Sequence, residues 1–334
     1  MTGVLKSLFA IVVVLTILML ALSGSSGGFV SGFTDMLLGP FVSTLAFGNF
    51  LETAAKLSLA GLAASVAFNA GCFNLGGEGQ ALVGGLAAAA VAICLPELPR
   101  LLALTLAVAA GICAGGIIGA VSGVLRAKWR VDELISTFLI SAVALNIGYA
   151  LLVGPLRDAN SYLIAAPPLP STYRLLSWWP PSRLSAVLIW AALLIMVTHV
   201  FLKFTIWGYR WRLRKANIAF ASYAGINTAS IAIVSLAVSG ALHGLAGAAA
   251  LMDRGQAVQG FTSNLGWDGL AIALVAGTKP KWVPVFAIVY TWIILGAQTA
   301  MLSSGFSFAL SGLVQATVFF LMTAKRVEGR RSIV

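Results

Sequence analysis

Long apolar runs alternate with short polar interruptions along this chain, and most runs have the length that crosses a bilayer. A spanning helix needs about 20 apolar residues. Ten candidate segments lie at 7–23, 50–69, 79–95, 101–125, 133–153, 184–204, 226–251, 266–278, 282–301 and 306–323. The eighth is short and glycine-rich, as expected of a half-helix beside a break. Two interruptions differ from ordinary loops. Asn74-Leu75-Gly76-Gly77-Glu78-Gly79 is echoed 190 positions later by Asn264-Leu265-Gly266-Trp267-Asp268-Gly269. In hydrocarbon, non-helical backbone is tolerated only where protein or a wet cavity satisfies it. Paired breaks in two halves are the sequence pointer to a transport pathway. The pattern predicts an all-α integral membrane protein with about ten transmembrane helices. Residues 1–334 form one transmembrane domain. The breaks are offset by five helices, which makes the halves, about 50–153 and 226–323, inverted repeats.

Composition agrees. Only 9% of residues are charged and 60% are hydrophobic, whereas a soluble domain carries roughly 25% charged residues. The net charge of +11 would suggest nucleic acid in a soluble chain; here the basic residues cluster in short loops, which is a topology signal. With the N-terminus inside, fifteen Lys and Arg fall on the cytoplasmic side and five outside, with Lys56 left within a span. Both termini are therefore expected in the cytoplasm. Lys6, the apolar run and Ser23-Gly24-Ser25-Ser26 also permit a signal peptide cleaved after Ser23, although an uncleaved first helix completes the even count. Cys72, Cys94 and Cys113 form no ligand or disulfide pattern.

Glu78 and Asp268 are the acids of greatest interest, because a charge deep in the bilayer costs at least about 2.5–3.5 kcal/mol. Either they line a pathway or they cap the helices that follow them, since acids favour helix N-termini. Asn74, Gln80 and Asn264 add neutral donors and acceptors suited to a polar, uncharged ligand. Phe73, Phe261 and Trp267 flank the breaks and suit either stacking on a flat ring or packing. Glu52 and Lys56, at i and i+4, are expected to pair on one helix face. His243 is expected to be hydrogen-bonded structure. The outer loop 154–183 carries Pro155, Pro167, Pro168, Pro170, Pro180 and Pro181 with Trp178-Trp179; it is read as a stiff docking surface or an interfacial anchor. The longest inside loop, Lys203 to Gly225, opens basic and aromatic and continues as a short Ala-rich helix, read as a headgroup anchor or a projection toward a soluble partner. No G-x-x-x-x-G-K-[ST] loop is present, so energy has to come from another subunit or from an ion gradient. Glu78 and Asp268 could serve as proton or sodium sites in an ion-coupled transporter. A passive channel or scaffold is the third class.

Gly71–Gln80 (G-C-F-N-L-G-G-E-G-Q) is similar to the G-x-F-N-I-G-x-E-G-Q signature of permeases of ATP-binding-cassette importers. The likeness is greatest to the nucleoside-type branch, related to simple-sugar and branched-chain amino acid permeases. Asp132-Glu133-Leu134-Ile135-Ser136-Thr137, Gly154-Pro155-Leu156, Asn217…Ala221…Tyr223-Ala224-Gly225-Ile226 and Gly266 to Leu274 also fit, over about residues 50–325. The loop departs from the family where Lys215 replaces a usual Gly and Ile218 a frequent Pro. The resemblance implies a vitamin B12 importer-like permease fold in the bacterial inner membrane. It implies ATPase subunits that bind ATP and magnesium, with no cofactor and no enzymatic site in this chain. It further implies a second, homologous permease subunit, an extracytoplasmic binding protein, and cargo such as a purine nucleoside or, next, riboflavin. The substrate pathway is expected at Asn74, Glu78, Gln80, Asn264, Trp267 and Asp268. ATPase coupling is expected at about 205–225, through Tyr209, Arg212, Arg214, Asn217, Ala221, Tyr223 and Gly225.

Overall fold

A computed structural model describes residues 29–304. The described chain is helical: α1 (Phe29–Leu38), α2 (Thr44–Asn69), α3 (Gly77–Cys94), α4 (Arg100–Trp129), α5 (Glu133–Val153), α6 (Val187–Phe204), α7 (Ile206–Ala216), α8 (Ile218–Tyr223), α9 (Thr228–Arg254), α10 (Leu265–Val275) and α11 (Val283–Ser304). Among the described residues, seven helices are long and apolar enough to cross a membrane, and α10 is a shorter apolar helix. The expected spans at 7–23 and 306–323 lie outside the described residues.

The expected segments reappear with shifted ends. The second begins at Thr44, where the Ser43 side chain accepts from the Ala46 N–H and caps the helix. The fourth runs on to Trp129 and ends at Arg130 with a left-handed φ of 55°. The short helix α1 had no counterpart among the expected spans, because at 10 residues it lies below spanning length. It is joined to α11 by the Trp292 indole, which donates to the Leu37 carbonyl at 2.9 Å.

Burial runs opposite to that of a soluble protein. Mean hydropathy is highest in α4 and α6, which are mostly exposed, and lowest in α2, which is mostly buried. The outer helices thus present apolar faces that water would not solvate, and lipid or another membrane subunit has to cover them. The centre is built by α2, α3, α9 and α10, with α4 laid along α9. Close approach there depends on small residues. Gly111, Gly115, Gly119 and Gly123 recur at every fourth position of α4. A Cβ at Gly115 would stand 2.3 Å from the Gly240 carbonyl oxygen, and one at Gly244 would stand 2.1 Å from that of Gly111. This is the small-xxx-small packing of helices in lipid, where backbone contact replaces the missing hydrophobic drive.

Candidate functional site

Helix α2 ends at Ala70, and Gly71 turns the chain with a φ of 74°, a left-handed conformation that glycine adopts without a Cβ penalty. Residues 72–76 then run without helical structure to the start of α3. Asn74 holds this segment from inside. Its amide nitrogen donates to Gln80 Oε1 and to Ser239 Oγ, each at 2.8 Å, and its oxygen accepts from the Gly76 N–H at 2.9 Å and from Gln80 Nε2 at 3.2 Å. Two hydroxyls of α5 complete the cage. The Leu75 N–H donates to Thr137 Oγ1 at 3.0 Å and the Gly79 N–H to Ser141 Oγ at 2.9 Å. Asn74 and Gln80 are both fully enclosed. In this conformation their amides stabilise the break.

The second break spans 255–264. Gly255, Gly260, Ser263 and Asn264 all have positive φ, and Asn264 gives α10 no side-chain cap. The cap comes from the other half of the chain. Glu78, in the first turn of α3, accepts from the Gly266 N–H at 2.8 Å and from Thr262 Oγ1 at 2.5 Å. A Cβ at Gly266 would stand 2.1 Å from the Glu78 nitrogen, so the N-termini of α3 and α10 abut. Two N-terminal half-dipoles meeting end to end repel, and a carboxylate at their junction offsets that repulsion. Of the two roles open to Glu78, capping is thus realised across the molecule, on α10, 188 residues away. His243 Nδ1 lies 3.0 Å from the Ser239 carbonyl oxygen, a structural bond as expected, and its other nitrogen packs against Gly77.

The remaining candidates separate. Asp268 is buried and accepts from the Tyr290 hydroxyl at 2.6 Å. It lines a cavity of about 240 Å³ together with Thr53, Lys56, Arg254, Ser263 and Gln298. Trp267 and Asn264 face outward. Trp267 meets Phe138 edge to face, with centroids 6.3 Å apart. Phe73 is exposed beside Phe68, whereas Phe261 is buried.

The expected Glu52–Lys56 pair does not form. Lys56 Nζ crosses to Asp253 of α9 at 2.5 Å, and Glu52 accepts from the Ser185 N–H at 2.9 Å and its hydroxyl at 3.1 Å. Each partner lies more than a hundred residues away in sequence. In a buried setting an unpaired backbone N–H and an opposite charge on a neighbouring helix outweigh a weak pair along one helix. Thr137, Ser141, Ser239, Thr262, Tyr290 and Asp253 complete the polar framework and were not singled out individually. Only Thr137, within the Asp132–Thr137 motif, carried a signal in the sequence.

On the segment 205–225, Tyr209, Arg212, Asn217, Tyr223 and Gly225 are exposed, whereas Arg214 and Ala221 are buried. Thr205 and Asn217 cap α7 and α8, which makes the basic-aromatic stretch a helix of its own.

The chain belongs to the branched-chain amino acid transport system permease component family, whose pattern matches residues 46–323. It is a multi-pass membrane permease subunit of the ABC-transporter type. Curated relatives include the nucleoside ABC transporter permease protein NupB of Lactococcus lactis subsp. cremoris, 28% identical over 305 residues (88% of this chain and 83% of the relative). The guanosine ABC transporter permease protein NupP of Bacillus subtilis is 28% identical over 299 residues, covering 88% and 85% of the two chains. The probable riboflavin import permease protein RfuC of Treponema pallidum is 28% identical over 265 residues, covering 79% and 70%. No solved structure matches the chain.

Proposed function

We propose that this subunit forms half of the membrane passage of an ATP-driven importer, and that its cargo is a flat, polar, uncharged heterocycle. A purine nucleoside is the first choice and riboflavin the second, which is the cargo that the names of the relatives carry. The observation behind the transport reading is the junction of α3 and α10. Two broken pairs enter the bundle from opposite ends of the chain, and their N-termini meet at Glu78 and Gly266. Such a junction, inside a lipid-covered bundle, is where inverted repeats rock against each other. On this reading residues 1–334 are one domain of ten helices with the vitamin B12 importer-like arrangement. Its halves at 50–153 and 226–323 are inverted repeats, and both termini lie in the cytoplasm of a bacterial inner membrane.

The exposed pair Phe138 and Trp267, with Asn264 near it in sequence, is a surface for cargo to pass, and a second permease closes it. Asn74, Glu78, Gln80 and Asp268 support that surface from within. Separate ATPase subunits bind ATP and magnesium and press on α7 and α8, and a binding protein delivers cargo to the loop at 154–183. The ion-coupled alternative needs Glu78 and Asp268 as titrating sites, yet Glu78 caps α10 and Asp268 holds Tyr290. Vesicles containing the subunit with its ATPase, second permease and binding protein should accumulate radiolabelled guanosine only when ATP is supplied. Uptake by this chain alone, driven by a proton or sodium gradient, would overturn the reading.

A further inference from the structure

We propose that Arg214 is the positioning residue through which the cytoplasmic helix pair moves the first broken segment together with the helix that leads to the second. The proposal rests on the importer reading above. Arg210, Arg212 and Lys215 of α7 are exposed, whereas Arg214 points inward and is 3% exposed. Its Nη1 donates to the Ala70 carbonyl, where α2 ends, and lies 3.2 Å from Cys72 Sγ, at the start of the extended segment. Its Nε donates at 3.0 Å to the carbonyl of Thr228, the first residue of α9. One planar cation therefore grips the end of α2, where the first break begins, and the first turn of α9.

Ala70 lies at the negative end of the α2 dipole, which favours a cation there. The guanidinium fork is rigid, so its acceptors are held in one relative geometry. Backbone contact reinforces the grip. A Cβ at Gly71 would stand 2.9 Å from the Lys215 Cα, so α7 lies directly against the turn that opens the break. Displacement of α7 drags the Gly71 turn and the start of α9 together, because both are in direct contact with it.

Cys72 is fully buried against Arg214 and reports on this contact. The test uses the complete complex in nanodiscs, with Cys94 and Cys113 changed to Ser, and N-ethylmaleimide as the probe. With Arg214 intact, the Cys72 labelling rate should differ by about fivefold or more between the nucleotide-free and ATP-vanadate-trapped states, the lower end of usual coupling between sites. With Arg214→Met, labelling should rise in both states and their ratio should fall to about one while ATP hydrolysis continues.

Arg214→Lys, which retains a cation but loses the fork, should give an intermediate ratio and serves if the Met variant fails to assemble. A merely structural arginine would raise labelling yet leave the ratio intact, and that result overturns the proposal. An active wild-type complex with no nucleotide effect on Cys72 overturns it too. If the chain binds no ATPase at all, the importer reading itself falls, which is a distinguishable failure.

Discussion

The breaks between α2 and α3 and between α9 and α10 each end in an Asn-Leu-Gly motif that runs into the helix that follows, and they are held in different ways. Residues 72–76 are pinned from inside by Asn74, Gln80, Ser239, Thr137 and Ser141. Residues 255–264, four of them at positive φ, are held instead through the backbone: the Ala166 and Leu169 N–H groups donate to the Ala257 and Gly255 carbonyls at 2.9 and 2.8 Å, the Gln259 N–H donates to the Ile164 carbonyl at 2.9 Å, and Asn264 gives α10 no cap. The first break supplies what the second lacks, because Glu78 caps α10. An echo in sequence has therefore become a division of labour: one break is caged by side chains of the bundle, and the other is paired through its backbone to residues 164–169 and joined to the first by one carboxylate.

The largest effect should come from separating the two N-termini. Gly266→Val places a Cβ against the Glu78 backbone, where overpacking costs about 1–3 kcal/mol or more, because neither backbone has room to yield. Loss of a monodisperse, thermally cooperative protein in detergent is the expected result, and an unchanged melting curve would refute the abutment. Next in size is Glu78→Ala, which leaves Thr262 and the Gly266 N–H without their acceptor and should cost about 1–3 kcal/mol. Hydrogen exchange should quicken at the start of α10 while the Asn74 cage stays protected; equal loss at both breaks would show that they are not held independently. Glu78→Gln should cost less, because the amide oxygen still accepts from Gly266 and the Thr262 hydroxyl turns to accept from the amide nitrogen. The smallest effect is expected of Asn264→Gly. At a φ of 64° glycine relieves the Cβ conflict, so stability should rise by no more than about 1 kcal/mol, read as a small increase in melting temperature. A drop would mean that the Asn264 side chain makes a contact that outweighs its strain.

The contrast also separates residues that the sequence had grouped. Asn74, Gln80, Glu78, Asn264, Trp267 and Asp268 were expected to line one pathway. The structure encloses Asn74 and Gln80, uses Glu78 as a cap, places Asp268 on a cavity that Thr262, the Glu78 partner, also lines, and turns Asn264 and Trp267 outward. Residue type and position announce a break, yet they carry no information about which side of it a side chain takes. Arg214 makes the same point on α7. It lies within a run of basic residues and is expected from the sequence among those that couple to an ATPase, but the helical rotation of α7 aims it at Ala70 and Thr228.

What the sequence determined by itself was whatever depends on local composition and period. Helix positions follow from apolar length, caps at Ser43, Asp132, Thr205, Asn217 and Asn227 follow from short polar side chains, and the two breaks follow from glycine and amide residues inside apolar runs. What only the tertiary structure decided was pairing: Glu78 with Gly266, Lys56 with Asp253, Glu52 with Ser185, and Arg214 with the ends of two helices. Burial is the physical reason. A polar group removed from water takes whichever partner the packing brings within reach. That choice is fixed by how distant helices cross.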